Sequence, residues 1–142
     1  MARRLSVLVL TVSMIAAACG GTTATTSSDL GAATTAASDA AGCADVVDVV
    51  VTAQGGTYRF DVTVASVETG WDKYADRWEV VGADGTVYGT RVLAHPHVDE
   101  QPFTRSASGI RIPGDVSTVV VRAHDSVAGT CGDTLAVELP DR

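Results

Sequence analysis

Alternation of apolar and polar residues dominates this chain from Val46 onward. Tyr58, Phe60, Val62 and Val64 fall on one face of a pleated strand, with Arg59, Asp61 and Thr63 on the other. The same period of two sets Trp78 and Val80 against Arg77 and Glu79, and places Ile110 and Ile112 on either side of Arg111. Val119, Val121 and Ala123 oppose Thr118, Val120, Arg122 and His124, while Leu135, Val137 and Leu139 oppose Ala136 and Glu138. Val46 to Val51 is nearly continuous valine, which predicts a strand buried more deeply than the others. Gly89 to Leu93 supplies a further strand.

Turn residues separate these runs. Gly55-Gly56 follows the first strand, and Asp84-Gly85 between Val81 and Val87 is a strong hairpin signal, because glycine accepts the positive φ such turns need. Pro113-Gly114-Asp115 and the stretch Gly129 to Asp133 mark later turns, and the loop from Gly70 to Asp76 can form a helical turn. The pattern gives about seven short strands and no useful helical period. An all-β fold is expected, a small immunoglobulin-like β-sandwich of two sheets around one core, with a barrel as the alternative.

Ahead of the strands the pattern changes. Met1-Ala2-Arg3-Arg4 precedes an apolar stretch from Leu5 to Ile15, then Ala16-Ala17-Ala18, Cys19 and Gly20-Gly21. A charged start, an apolar middle and small residues ending on a cysteine resemble the signal and lipobox of a bacterial lipoprotein. That resemblance implies removal of residues 1–18 and acylation of Cys19, with chains such as palmitate, leaving the protein on the extracytoplasmic face of the cell membrane. Several acyl chains exceed the two-signal threshold for stable attachment. Leu5 to Ala18, roughly 21 Å long as helix, is too short for a hydrocarbon core of roughly 30 Å. An ordinary secretory signal that happens to contain Cys19 is the alternative, since Ala16 stands where leucine is usual. Ser6 stands where a twin-arginine signal usually has a large apolar residue, which favours the general secretory route.

From Gly20 to Gly42 the chain is almost wholly Gly, Ala, Thr, Ser and Asp, with no aromatic residue. Such a stretch cannot bury enough apolar surface to offset its ordering entropy. It reads as a flexible linker over residues 19–42 with a span of roughly 25 Å, leaving 43–142 for one folded domain with a modest core. The net charge is −7, and removal of Arg3 and Arg4 makes the mature chain more acidic still. With Lys73 as the single lysine there is no basic stripe to follow phosphates, so nucleic acid is excluded as a natural partner. Membrane attachment falls to the lipid anchor; the ligand or protein partner is not specified. Once Cys19 is acylated, Cys43 and Cys131 remain, and an even pair in an exported domain reads as a disulfide. Their use as thiolate metal ligands is the rival, disfavoured by their separation.

Candidate chemistry concentrates in two places. His95-Pro96-His97 follows a strand, and residues two apart on an extended chain share a face, so both imidazoles can present to one ion. Glu100 or Asp99 adds a carboxylate, and His124 or Asp125 a third ligand from another strand. An imidazole-rich site of this kind suits zinc or copper; the plainer use is hydrogen bonding at a polar corner of the sandwich. The second place is Gly70 to Trp78, which holds both tryptophans, Tyr74, Asp72 and Asp76. It offers an aromatic platform for a sugar or peptide, or an acidic loop for calcium. In a chain with 5% aromatic residues, the economical use is Trp78 in the core, Trp71 and Tyr74 over its end, and Asp72 and Asp76 paired with Arg77 or Arg91.

Catalysis finds little support. His124-Asp125-Ser126 has the residue types of a triad, but strand neighbours point to opposite faces. The chain has no Gly-x-Ser-x-Gly elbow, phosphate-cradling glycine loop or His-Glu-x-x-His motif. A non-enzymatic binding or interaction module is expected, its polar site drawn from His95, His97, Glu100 and His124, with Asp72, Asp76 and Arg105 as neighbours. An envelope zinc- or copper-binding protein using the same histidines is the alternative.

Taken together, Gly70-Trp71-Asp72, Tyr74-Ala75-Asp76, Trp78-Glu79-Val80, Asp84-Gly85-Thr86-Val87 and Gly89 to Leu93 form part of one composite motif. His95-Pro96-His97, Glu100 to Ser106 and Ala123-His124-Asp125-Ser126 complete it. The whole resembles a group of small exported bacterial proteins of unknown function, over roughly Tyr58 to Ser126. The resemblance implies no activity, but implies that the His-Pro-His corner and the Ala-His-Asp-Ser strand end belong to one unit. Members often carry a histidine where Lys73 stands, so a fourth imidazole is missing from this chain.

Overall fold

The computed structural model describes residues 42–141. The signal segment, Cys19 and all of the expected linker except Gly42 lie outside the described residues, as does Arg142. Seven strands follow in order: β1 (Ala44–Gln54), β2 (Thr57–Ser66), β3 (Ala75–Val81), β4 (Val87–Val92), β5 (Phe103–Ile110), β6 (Thr118–Asp125) and β7 (Leu135–Glu138). Among the described residues there is no helix. The loop from Gly70 to Asp76, which the sequence allowed to form a helical turn, instead makes a tight turn bridged from Gly70 to Lys73.

The strands form two antiparallel sheets, β1-β2-β5 and β4-β3-β6-β7. This is a β-sandwich of immunoglobulin-like layout, in which the fourth strand pairs with the third instead of joining the first, second and fifth. Half-burial explains the alternation. Phe60, Val62 and Val64 of β2 and Trp78 and Val80 of β3 point inward and are fully buried, as do Val119 and Val121 of β6. Each such side chain contributes about 1.5–3 kcal/mol by leaving water. The Asp84-Gly85 turn forms the β3–β4 hairpin, with Gly85 at φ 84°.

Two strands differ from expectation. β1 is an edge strand paired only with β2, and its register shifts between Val46 and Asp48. Val46 is buried but Val47 and Val50 are exposed, because no layer covers the outer face of that edge. The valine run therefore reflects compatibility with a pleated backbone more than deep burial. β5 begins at Phe103, well before the Ile110 to Ile112 run, and Ile112 is buried beyond the strand's end.

A disulfide joins Cys43, ahead of β1, to Cys131 in the β6–β7 loop, across 88 residues. Loop closure of this length is worth about 4–5 kcal/mol in a chain-entropy description. Val46 N–H donates to the Asp133 carbonyl, and Asp133 N–H to the Asp45 carboxylate, fastening the same loop to β1. Gly132 packs so closely there that a Cβ would stand 2.1 Å from the Ala44 carbonyl oxygen.

Candidate functional site

Antiparallel pairing brings three connections to one end of the sandwich: β2–β3, β4–β5 and β6–β7. Along the β4–β5 connection, His97 is 3% exposed while His95 is exposed. Their ring centroids are 4.6 Å apart and tilted by 39°. His97 stacks on the Phe103 ring at 3.9 Å and 16°, and the Arg105 guanidinium carbon lies 5.5 Å from that ring's centre. Arg105 Nη2 in turn donates to Glu100 at 2.7 Å. The result is a column of planar groups, His95, His97, Phe103 and Arg105, ending on the Glu100 carboxylate. An open cleft of about 370 Å3 is lined by His95 to Glu100.

Backbone contacts hold His97 in place. Its N–H donates to the buried Glu68 carboxylate, whose other oxygen accepts the Ala75 N–H at 3.2 Å. Its carbonyl accepts from Glu100 N–H at 3.1 Å and Gln101 Nε2 at 3.2 Å. The ring is different: neither Nδ1 nor Nε2 has a hydrogen-bond partner, although both are buried. Burial pushes the imidazole below its ordinary value, and Arg105 and His95 act in the same direction against Glu68 and Glu100. The ring is a neutral side chain held by stacking. Sequence reasoning missed Glu68, because a carboxylate that accepts backbone N–H groups from distant segments leaves no local motif.

His124 is engaged on the outer face of the four-stranded sheet. Its Nδ1 lies 2.8 Å from Asp76 Oδ1 and 3.1 Å from Arg77 Nη1. Arg77 continues to Glu79 at 3.3 Å, which also accepts from Arg122 at 2.8 Å. Asp125, next along β6, points inward and is fully buried. It accepts from Lys73 Nζ at 2.7 Å and from the Val127 and Ala128 N–H groups at 2.9 Å. Burial raises its carboxyl, but the Lys73 and backbone bonds outweigh that and hold it below the usual carboxylate range. Asp72 is exposed at the tip of the β2–β3 turn beside Trp71, which is exposed too. Trp71 packs edge-on against Tyr74, and only Trp78 is in the core.

The structure thus gathers His95, His97, Glu100 and Arg105 in one column and gives His124 and Asp76 to each other. Among the described residues, no group of three or more His, Cys, Asp or Glu side chains is placed to hold a metal ion. The expected set of His95, His97, Glu100 and His124 does not assemble as ligands: the His97 ring lies flat on Phe103, Glu100 is taken by Arg105, and His124 by Asp76. The column can stack on a flat group at its His95 end and exchange charge contacts at its Arg105–Glu100 end.

A protein of Halomicrobium mukohataei named "Putative lipoprotein" is 41% identical over 96 residues, covering 67% of this chain and 47% of that protein. The chain spans about half the length of that relative. No family model and no solved structure matches.

Proposed function

We propose that the chain is a cell-envelope lipoprotein, acylated at Cys19 and held at the extracytoplasmic face of the membrane. It displays residues 43–142 as a non-catalytic binding module whose recognition surface is the column of His95, His97, Phe103, Arg105 and Glu100. The observation that carries this reading is the 41% identity to a protein named as a lipoprotein, in a chain whose first residues have the charged, apolar and small-residue order ending on Cys19. The column supports binding over chemistry. Exposed His95 and Glu100 offer a ring face and a carboxylate and half-buried Arg105 a cation, while His97 is buried against Phe103 with no partner on either ring nitrogen.

Mass spectrometry of the membrane-extracted protein tests the anchor. The expected product begins at an acylated Cys19, and Cys19→Ser moves the protein to the soluble fraction; an unmodified, uncleaved N-terminus contradicts the reading. A photo-crosslinking residue at Val98, exposed in the lining of the cleft, tests the recognition surface in intact cells. A discrete adduct that disappears with His95→Ala and Arg105→Ala is expected. An adduct pattern unchanged by both substitutions removes the column from the function.

A further inference from the structure

The same end of the sandwich carries an exposed apolar patch spread over its β2–β3 and β6–β7 loops. Val67, Trp71 and Val127 are 71%, 70% and 69% exposed. They arise from two loops that are firmly tied. Lys73 Nζ donates to the Val67 carbonyl and to Asp125, each at 2.7 Å, and Asp125 accepts the Val127 N–H. Tyr74 N–H donates to Ser126 Oγ at 3.1 Å, and Ser126 N–H to the Tyr74 carbonyl at 2.9 Å. Trp71 stands at the tip of a turn closed by the bond from Thr69 N–H to the Lys73 carbonyl. The patch is therefore braced, and the charge of Lys73 beneath it is consumed by Asp125.

Where the chain enters this end gives the patch its meaning. Gly42, the first described residue, lies against Lys73, so that a Cβ at this position would stand 3.4 Å from Lys73 Cε. The described chain thus begins, on its Cys19 side, against the loop that carries Val67 and Trp71. We infer that this end is the domain's membrane-contacting surface, with Trp71 seated at the headgroup level of the bilayer. The inference rests on the proposed acylation of Cys19. An indole with an apolar body and a polar N–H suits the interface between lipid and water. One tryptophan and two valines bind a bilayer weakly on their own, but acylation at Cys19 of the same chain keeps them at high local concentration. Asp72 beside Trp71 and the acidic chain favour a zwitterionic surface over an anionic one.

The test uses the full acylated protein in phosphatidylcholine vesicles whose chains are brominated near the headgroup. Of the two tryptophans, Trp78 is fully buried, so bromine quenching reports Trp71. Loss of most of the Trp71 emission is expected, and Trp71→Ala abolishes the quenching while the protein still floats with the vesicles. Flotation without quenching overturns the inference and leaves the anchor standing. Failure to float removes the anchor and the inference together. A dimer in detergent that Trp71→Ala dissolves, with no quenching in vesicles, assigns the patch to a second copy and also overturns it.

Discussion

At the loop end of the sandwich, Asp125 and His97 are both buried ionisable side chains, 0% and 3% exposed. Asp125 is charged and satisfied, with Lys73 and two backbone N–H groups around one carboxylate. His97 is satisfied along its backbone and unsatisfied in its ring, which is kept by contact with Phe103 and His95. Directional bonds to a charge fix where the β2–β3 and β6–β7 loops meet. Stacking fixes only shape, and leaves a ring that one proton can turn into an unpaired buried cation. The two corners close the same end but differ in what breaks them.

Removing the stacking platform has the largest expected effect. Phe103→Ala should cost about 3–5 kcal/mol in urea unfolding, as for other buried aromatic truncations. A smaller loss, under about 1 kcal/mol, would mean the column contributes little packing. Lys73→Met strands the Asp125 carboxylate and should cost about 3 kcal/mol, near the lower end for broken buried pairs because two backbone bonds remain. Adding Asp125→Asn to that variant should recover much of the loss; no recovery would mean that Lys73 acts through its bond to the Val67 carbonyl.

Acidification should separate the corners without mutation. Both groups titrate below their ordinary values in the folded protein, so the unfolded chain takes up protons first and stability falls with pH. The His97 contribution is complete above about pH 6.5 and is lost as pH falls through its depressed value. The Asp125 contribution is complete above about pH 3.9 and goes only at lower pH. Urea midpoints across pH should show the earlier step disappearing in His97→Phe. That variant should be as stable as the wild type at neutral pH, or more so by about 1 kcal/mol, because it removes unpaired ring nitrogens. An unchanged acid profile would assign the step to another group. Arg105→Ala should be the mildest, within about 1 kcal/mol, since its Glu100 partner is largely exposed.

The half-buried strands were legible because their two faces meet different solvents. β2 and β6 read directly as inward Phe60, Val62, Val119 and Val121 against outward polar neighbours. β5 was hidden because its inward face reads Phe103, Arg105 and Ala107, a cation and a small residue where the other strands carry large apolar side chains. The opposite facing of His124 and Asp125 follows from the pleat alone, and the structure puts one on the outer face and one in the interior. Spacing by two did make neighbours of the His95 and His97 rings. It could not show that one would be buried, because that depends on Glu68, 29 residues earlier, accepting the His97 N–H. The Lys73–Asp125 pair spans 52 residues and is equally invisible to local pattern.

Ring resonances of His97, followed by NMR against pH, test most directly whether this corner is closed by a neutral, unpartnered imidazole. The expected titration midpoint lies below that of a free histidine, with the ring uncharged at neutral pH and Phe103→Ala moving the midpoint upward. A midpoint at or above the free value, or a ring N–H slowed in exchange by a strong hydrogen bond, would contradict it.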